Sequence, residues 1–285
     1  MRIAGGAVVV VCALGALAGG ASAALPELGR CTEVAGVQEG KKIVHHGAYR
    51  NKNCTAASRT QTGKYEFVPG PGTNNKFYGV ATEPEPVLET TTGAKVSCGE
   101  MIFKGEYTGP KTEKVSVSFG GCETTAANGA HQVCQSDPAK EGEIEGLQAL
   151  EGELGIIQAG APPSVGWDLK HAGTLFAYEC GVLPEVPSAQ TVEGSVIGVL
   201  SHGFFGTDLN KMSLHSVIKY KAKVGLQLPE AFEGQAKDVL STTTLAGTSK
   251  TTAQTGLTTT EETESGLGES HESSANQEAL EVKTK

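Results

Sequence analysis

The sequence predicts an all-β protein, an antiparallel β-sandwich or partly closed barrel that is stapled by disulfides and contains little helix. The first observation is an alternation in EKVSVSFG, where Val115, Val117 and Phe119 are separated by polar residues. This period of two is typical of a strand with one buried and one solvated face. The second observation is composition, because 38 glycines and few aromatic residues favour many short strands joined by turns.

Residues 1–23 have the features of a secretory signal peptide. Arg2 supplies the positive charge, AVVVVCALGALAG is the apolar segment, and Ala21-Ser22-Ala23 is a small-residue cleavage site. Cleavage between Ala23 and Ala24 is therefore expected, and Cys12 is then lost with the leader. The apolar run is shorter than the about 20 residues that a spanning helix needs, so no membrane span is predicted in the mature chain.

Six cysteines remain after the leader, an even number that is typical of disulfides in an exported chain; they are Cys31, Cys54, Cys98, Cys122, Cys134 and Cys180. The preferred pairs are Cys31–Cys54 and Cys122–Cys134, which are local, and Cys98–Cys180, which would join distant strands. The alternative is a Cys98–Cys122 bond across the GEYTGPKT hairpin. Long irregular spacings and the absence of C-x-x-C predict no metal site.

The mature chain divides into two predicted regions. Residues 24–70 are predicted to form a small, loop-rich lobe that is held by its own disulfide, and residues 71–285 the main antiparallel domain. In the main domain, TLFAYEC places Phe176, Tyr178 and Cys180 on one face of a strand. Residues 241–276 are rich in Thr, Ser and Glu, which fits either edge strands or disorder. A flexible loop is predicted around residues 260–276, and EALEVK is predicted to be the closing strand.

The charge and the motifs narrow the function without identifying it. A formal net charge of −9 and the lack of a basic stripe exclude nucleic acid as an expected partner. The sequence has no G-x-S-x-G, H-E-x-x-H, phosphate loop or dinucleotide fingerprint, so no catalytic, cofactor-binding or metal-binding residue is predicted. We expect a secreted structural or binding module, extracellular or at the cell envelope, that recognises the cell wall, a glycan, a protein or a small apolar ligand. The alternative is a secreted hydrolase whose site is not recognisable from motifs.

A series of short segments along the chain resembles a known group of sequences. In order, these are CTEV, GKYEFVPG, AKVSC, GEYTGPKT, VSVSFGGC, EGELG, NKMSL, PEAFEG and EALEVK. The series resembles a group of uncharacterised secreted proteins of high-GC soil actinobacteria, and the likeness covers most of the mature chain. The resemblance implies class and location only, because that group brings no activity, cofactor or site residue.

Overall fold

The computed structural model describes residues 25–126, 128–136, 140–181, 188–202, 208–236, 239–268 and 278–284. The predicted signal peptide, its Ala23–Ala24 cleavage site and Cys12 lie outside these residues. The predicted flexible loop is only partly covered: residues 260–267 belong to a long strand, and residues 269–276 fall outside the described part.

Every helix or strand element in the described residues is a β-strand, which confirms the predicted fold class. Numbered in chain order, the strands are β1 (Glu27–Glu33), β2 (Val37–Glu39), β3 (Lys42–Val44), β4 (Tyr65–Pro69), β5 (Lys76–Ala81), β6 (Val87–Thr90), β7 (Lys95–Ser97), β8 (Glu100–Tyr107), β9 (Thr112–Gly120), β10 (Glu123–Thr125), β11 (His131–Gln135), β12 (Ile144–Glu145), β13 (Leu150–Gln158), β14 (Ser164–Cys180), β15 (Ser188–His202), β16 (His215–Lys223), β17 (Leu226–Leu228), β18 (Ala231–Phe232), β19 (Gln235–Ala236), β20 (Leu240–Ala246), β21 (Ser249–Leu267) and β22 (Glu281–Lys283).

The large antiparallel sheet closes on itself twice. The first ring runs through β5, β8, β9, β13, β14, β15, β16 and β21, and β21 pairs back with β5. The second ring runs through β6, β7, β10, β11, β14, β15, β20 and β21, and β21 pairs back with β6. Of the two predicted architectures, the structure therefore has the partly closed barrel.

Three long strands tie the two rings together. β14 has 17 residues, β15 has 15 and β21 has 19, and each contributes one half to each ring. In β21, for example, Thr255–Thr258 pair with β6, whereas Glu262–Leu267 pair with β5. The Thr-rich segment that could have been an exposed edge or disordered is thus a central strand of the sheet.

The alternation that predicted the strands also fills the interior of the rings. Val115, Val117 and Phe119 are all less than 5% exposed, and Trp167 stacks on Tyr107 with ring centroids 5.9 Å apart. Burial of one such side chain stabilises the fold by about 1.5–3 kcal/mol. The core therefore runs continuously inside the sheet rather than between two separate sheets.

A three-stranded sheet closes the outer end of the first ring. β1 lies in its middle, between β22 and β4, so the predicted closing strand pairs with the first strand of the described chain. Leu28 and Val282 from this sheet, with Leu280 just before β22, join the core next to Tyr107 and Trp167, around a void of about 10 Å³. We call this sheet the cap. The predicted division of the chain at residue 70 stays a prediction.

The disulfides agree with one predicted pair and correct the other two. Cys31–Cys54 is present as predicted, but the remaining bonds are Cys98–Cys122 and Cys134–Cys180. The prediction of Cys98–Cys180 is wrong because it assumed that two cysteines meet across a packed pair of sheets, and the prediction of the local Cys122–Cys134 pair is wrong because each of these cysteines bonds to another strand. Ring closure instead places β7 beside β10 and β11 beside β14, with bonded Cα atoms 4.0 and 4.1 Å apart. The alternative Cys98–Cys122 bond is the one that forms.

Candidate functional site

The candidate site is a cavity of about 250 Å³ in the open end of the second ring, which we call the cup. Each of the eight strands of that ring contributes at least one lining residue. Toward the first ring the lumen is packed with apolar side chains around a void of only about 20 Å³. The cap closes the far end of the first ring, so the molecule has one sealed end and one open end.

The cup has a buried lower part and an open rim. Thr242, Thr255 and Tyr178 are 2–4% exposed and form the lower wall. Lys95 and Thr125 lie at the exposed rim. Because side chains on a strand alternate, β6, β15 and β20 line the cup with every second residue, namely Leu88 and Thr90, Ser188 and Gln190, and Thr242 and Thr244. The site is thus a direct product of the strand pattern and of ring closure.

Hydrogen bonds between side chains hold one wall of the cup in place. Thr255 donates from Oγ1 to Thr242 Oγ1 at 2.7 Å, and Thr244 donates to Gln190 Oε1 at 2.5 Å. Gln190 in turn donates from Nε2 to Ser188 Oγ at 3.2 Å. These bonds connect β15, β20 and β21, so hydroxyls and amides are oriented before a ligand arrives.

The hydroxyl of Tyr178 has no hydrogen-bond partner in the part of the chain that the structure describes. Tyr178 is 4% exposed and lines the cup, and burial alone raises the pKa of its hydroxyl. A buried tyrosine hydroxyl normally finds a partner, since leaving it unpaired costs about 1–3 kcal/mol. The sequence placed Tyr178 on an inward face, but it did not indicate that the hydroxyl would face an open cavity.

Among the described residues that line the cup there is no carboxylate, although the chain has 32 acidic residues. The one cation in this described lining is Lys95, whose Nζ lies 3.1 Å from Glu89 Oε1. The described wall therefore combines hydroxyl and amide groups with apolar side chains such as Val96 and Ala126.

A second group of polar side chains lies inside the first ring. Glu113 and Glu261 are 5% and 1% exposed, and both face the interior. Thr263 donates to Glu261 Oε1 at 2.7 Å, and the Tyr220 hydroxyl lies 3.5 Å from Glu261 Oε2. Gly79 and Gly152 leave the space for these carboxyl groups, because a Cβ at either position would collide with the side chain of Glu261 or Glu113.

Burial changes the protonation of this pair. Desolvation raises the pKa of Glu261 to about 8, against the lowering effect of its hydrogen bonds from Thr263 and Tyr220. Desolvation, followed by the charge of Glu261, holds the pKa of Glu113 well above its usual range. Glu261 is therefore mainly a neutral carboxylic acid at pH 7, and Glu113 holds its proton to a higher pH than an exposed glutamate does. They line none of the cavities described above, so a substrate has no visible access to them.

Glu113 and Val115 are two residues apart on one strand, and this spacing could have predicted that Glu113 points inward. Glu261 gave no such signal, because QTGLTTTEETESG reads as a solvated segment. Sequence reasoning missed both residues for one reason: buried carboxyl groups are rare, and charged residues are normally assigned to the surface.

The six predicted disulfide cysteines are all bonded, and one bond lies beside a third potential ligand. The sulfurs of Cys31 and Cys54 and a carboxylate oxygen of Glu281 lie within 4.8 Å of one another. Both sulfurs are joined in the disulfide, so neither is the thiolate that a metal ion would bind. Glu281 instead faces Lys283, with Nζ 3.3 Å from Oε1.

Searches of protein-family models, of curated proteins and of solved structures each return no match for this chain. The resemblance to secreted actinobacterial proteins thus stays a prediction. Among the described residues there is no helix with the length and apolar character required to span a membrane.

Proposed function

We propose that this protein is a secreted, non-enzymatic binding module of the extracellular medium or the cell envelope, and that the cup is its ligand site. The observation that carries the proposal is the cup itself, with the unpartnered Tyr178 hydroxyl in its wall. Small-molecule sites occur preferentially in concave pockets, including the mouths of barrels, where a few polar groups fix the ligand.

Export is supported by the covalent chemistry. Three disulfides indicate an oxidising compartment, since thiols in the cytosol are kept reduced. The proposal makes a more specific claim, namely that the protein is secreted by means of the predicted signal peptide. N-terminal sequencing of the protein from culture fluid tests it, with Ala24 as the expected first residue and a retained Met1 as the contrary result.

The second candidate is the secreted hydrolase, and the Glu113–Glu261 pair is the observation that favours it. Two carboxyl groups with raised pKa values resemble an acid–base pair. Their separation from the described cavities argues for a structural role, and the binding module is therefore the proposal that we adopt.

A cup-blocking variant tests the proposal. Thr244→Trp fills the cup, whereas Thr243→Trp places the same ring on the outer face of β20. Extracts of culture fluid and cell wall are passed over each immobilised variant, and retained small molecules are identified by mass spectrometry. We expect a compound that the wild type and Thr243→Trp retain and Thr244→Trp does not. Equal retention by all three would exclude the cup, and hydrolysis of a retained compound that stops with Glu261→Gln would favour the hydrolase.

A further inference from the structure

We infer that the cup binds the terminal residue of a neutral saccharide. This inference rests on the proposed function, because it names the ligand class of the same site. The charge of the cup, its hydrogen-bonding groups and the closed apolar floor below it support this ligand class.

Charge excludes ionic ligands. Among the described lining residues, an anion in the lower part of the cup would meet no arginine and no free ammonium group, because Lys95 sits at the rim beside Glu89. A cation would meet no carboxylate of the same described lining. Moving an ion out of water without a partner is costly, so either ligand would lose more in solvation than it gained in contacts.

The hydrogen-bonding groups exclude a purely apolar ligand. The hydroxyl of Tyr178 has no hydrogen-bond partner among the described residues, and a hydrocarbon in the cup would cut it off from water without replacing that hydrogen bond. A buried polar group that loses its partner in this way costs about as much as a hydrogen bond contributes, or more.

A neutral polyol satisfies both conditions. A hydroxyl can donate one hydrogen bond and accept two, and so can the threonine, serine and tyrosine hydroxyls of the wall. The ring of a sugar also has C–H faces, which fit the apolar side chains of the lining, among them Val96 and Ala126. Tyr178 is the strongest contact, because its side chain is largely buried and its hydroxyl gives up no existing hydrogen bond to the described chain when it binds.

The shape of the cup favours the terminal residue of a saccharide over a residue in the interior of a polysaccharide. Below it, Leu88, Leu240 and Leu257 surround only the small apolar void, so the ligand enters and leaves by the same opening. The volume of about 250 Å³ is below the about 300–1,000 Å³ that is typical of ligand pockets. The cup therefore accepts a terminal sugar, whereas the interior of a polysaccharide chain would have to fold back on itself to enter.

The test uses the mature chain with its disulfides intact and titration calorimetry with defined probes. The neutral probes are the linear trisaccharides of glucose, mannose and N-acetylglucosamine and the corresponding monosaccharides. Glucuronate and glucosamine are the charged probes, 1-hexanol is the apolar probe, and α-cyclodextrin offers glucose rings without a chain end. We expect at least one neutral linear sugar to bind, and no binding of α-cyclodextrin or the charged and apolar probes.

The monosaccharide probes test whether the ligand is a free sugar or the end of a glycan. Equal affinity for a monosaccharide and its trisaccharide indicates a free sugar as the ligand, and tighter binding of the trisaccharide indicates a glycan end.

The Tyr178→Phe variant tests whether the Tyr178 hydroxyl makes a hydrogen bond to the sugar. Loss of one hydrogen bond weakens binding by roughly 3- to 10-fold, and the same exchange at Tyr107, inside the first ring, leaves the affinity unchanged. Far-UV circular dichroism checks that both variants fold.

The outcomes separate the two proposals. If an ionic or apolar probe binds and Thr244→Trp abolishes its binding, the ligand class is wrong and the cup remains the site. Sugar binding that survives both Thr244→Trp and Tyr178→Phe overturns the saccharide assignment and the cup together. Absence of sugar binding overturns the saccharide inference alone, since the extract experiment decides independently whether the cup binds another compound.

Discussion

The buried carboxyl groups of Glu113 and Glu261 make the free energy of unfolding of this protein depend on pH. Their carboxyl groups are protonated more readily in the folded chain than in the unfolded chain, because burial raises both pKa values. Between the unfolded pKa of about 4.5 and the folded value of about 8, the native state holds more protons. The free energy of unfolding must therefore fall as the pH rises through this window.

The first prediction is that Glu261→Gln flattens this dependence. The wild type loses on the order of a few kcal/mol between pH 5 and pH 9, since one pKa unit corresponds to about 1.4 kcal/mol. The amide of the variant cannot ionise, so the variant should avoid much of the stability loss that the wild type shows between these two pH values. Urea midpoints at the two pH values measure it, and Glu262→Gln, on the exposed side of the same strand, should behave like the wild type. Parallel pH profiles for Glu261→Gln and the wild type would contradict the prediction.

Lys283 is a second residue on which local stability depends. Its ammonium group donates to the carbonyl of Cys54 at 2.7 Å, lies 3.3 Å from Glu281, and sits over the rings of Tyr49 and Phe67. Desolvation raises the pKa of Glu281 to about 7, and Lys283 opposes that rise. The Lys283 ammonium group therefore offsets part of the cost of burying the Glu281 carboxylate in the cap.

The second prediction is that Lys283→Met destabilises the fold by about 3–5 kcal/mol at pH 9, since it leaves a buried charge without a partner. At pH 5 the loss is smaller, because Glu281 is then protonated. Adding Glu281→Gln should recover part of the loss at pH 9, and denaturation curves of the single and double variants measure the recovery. A double variant less stable than Lys283→Met would refute the charge explanation.

At the scale of the strands, the disulfides reinforce the weakest pairings of the second ring. β7 and β10 share two paired positions, as do β11 and β14. Cys98, Cys122, Cys134 and Cys180 form a row across these four strands, and the amide of Cys134 also donates to the carbonyl of Cys122 at 2.9 Å. The wrongly predicted Cys122–Cys134 pair thus joins true neighbours, but each sulfur bonds to the strand on its other side.

The third prediction concerns the relative strength of these two bonds. Cys134–Cys180 spans 46 residues and Cys98–Cys122 spans 24. Chain entropy assigns them about 4 and about 3.5 kcal/mol. Replacement of Cys134 and Cys180 by Ala should therefore cost slightly more stability than replacement of Cys98 and Cys122, as measured by urea denaturation. Peptide mapping without reductant checks the connectivity, and a Cys122–Cys134 peptide would invalidate both the pairing and the comparison.

Individual strands were predictable because alternation is a local property of the sequence. Val115, Val117 and Phe119 are buried, as are Phe176, Tyr178 and Cys180. The partners of each strand were not predictable, because alternation indicates which face is buried and not which strand lies alongside. The cup was therefore invisible in the sequence, although several of its residues lie in segments that were correctly predicted as strands.

At the scale of the whole molecule, the shared strands make two rings into one cooperative body. A break in β14, β15 or β21 would open both rings at once, so we expect the two rings to unfold together. The fourth prediction is a single unfolding transition, with the slowest amides of β9 in the first ring and β20 in the second exchanging at the same free energy. Native-state hydrogen exchange measures this. A second ring that opens at clearly lower free energy would show that the long strands do not couple the rings.

The position of β1 in the cap has a consequence for how the chain folds. Glu27 pairs with Lys283, so the first described strand cannot complete its sheet until residue 283 has been synthesised. Contacts between such distant residues are slow to form, because the entropy of closing the loop is lost before the contact stabilises anything. We expect the cap to assemble last and the chain to stay incompletely folded until then, a state in which it can still be threaded through an export channel.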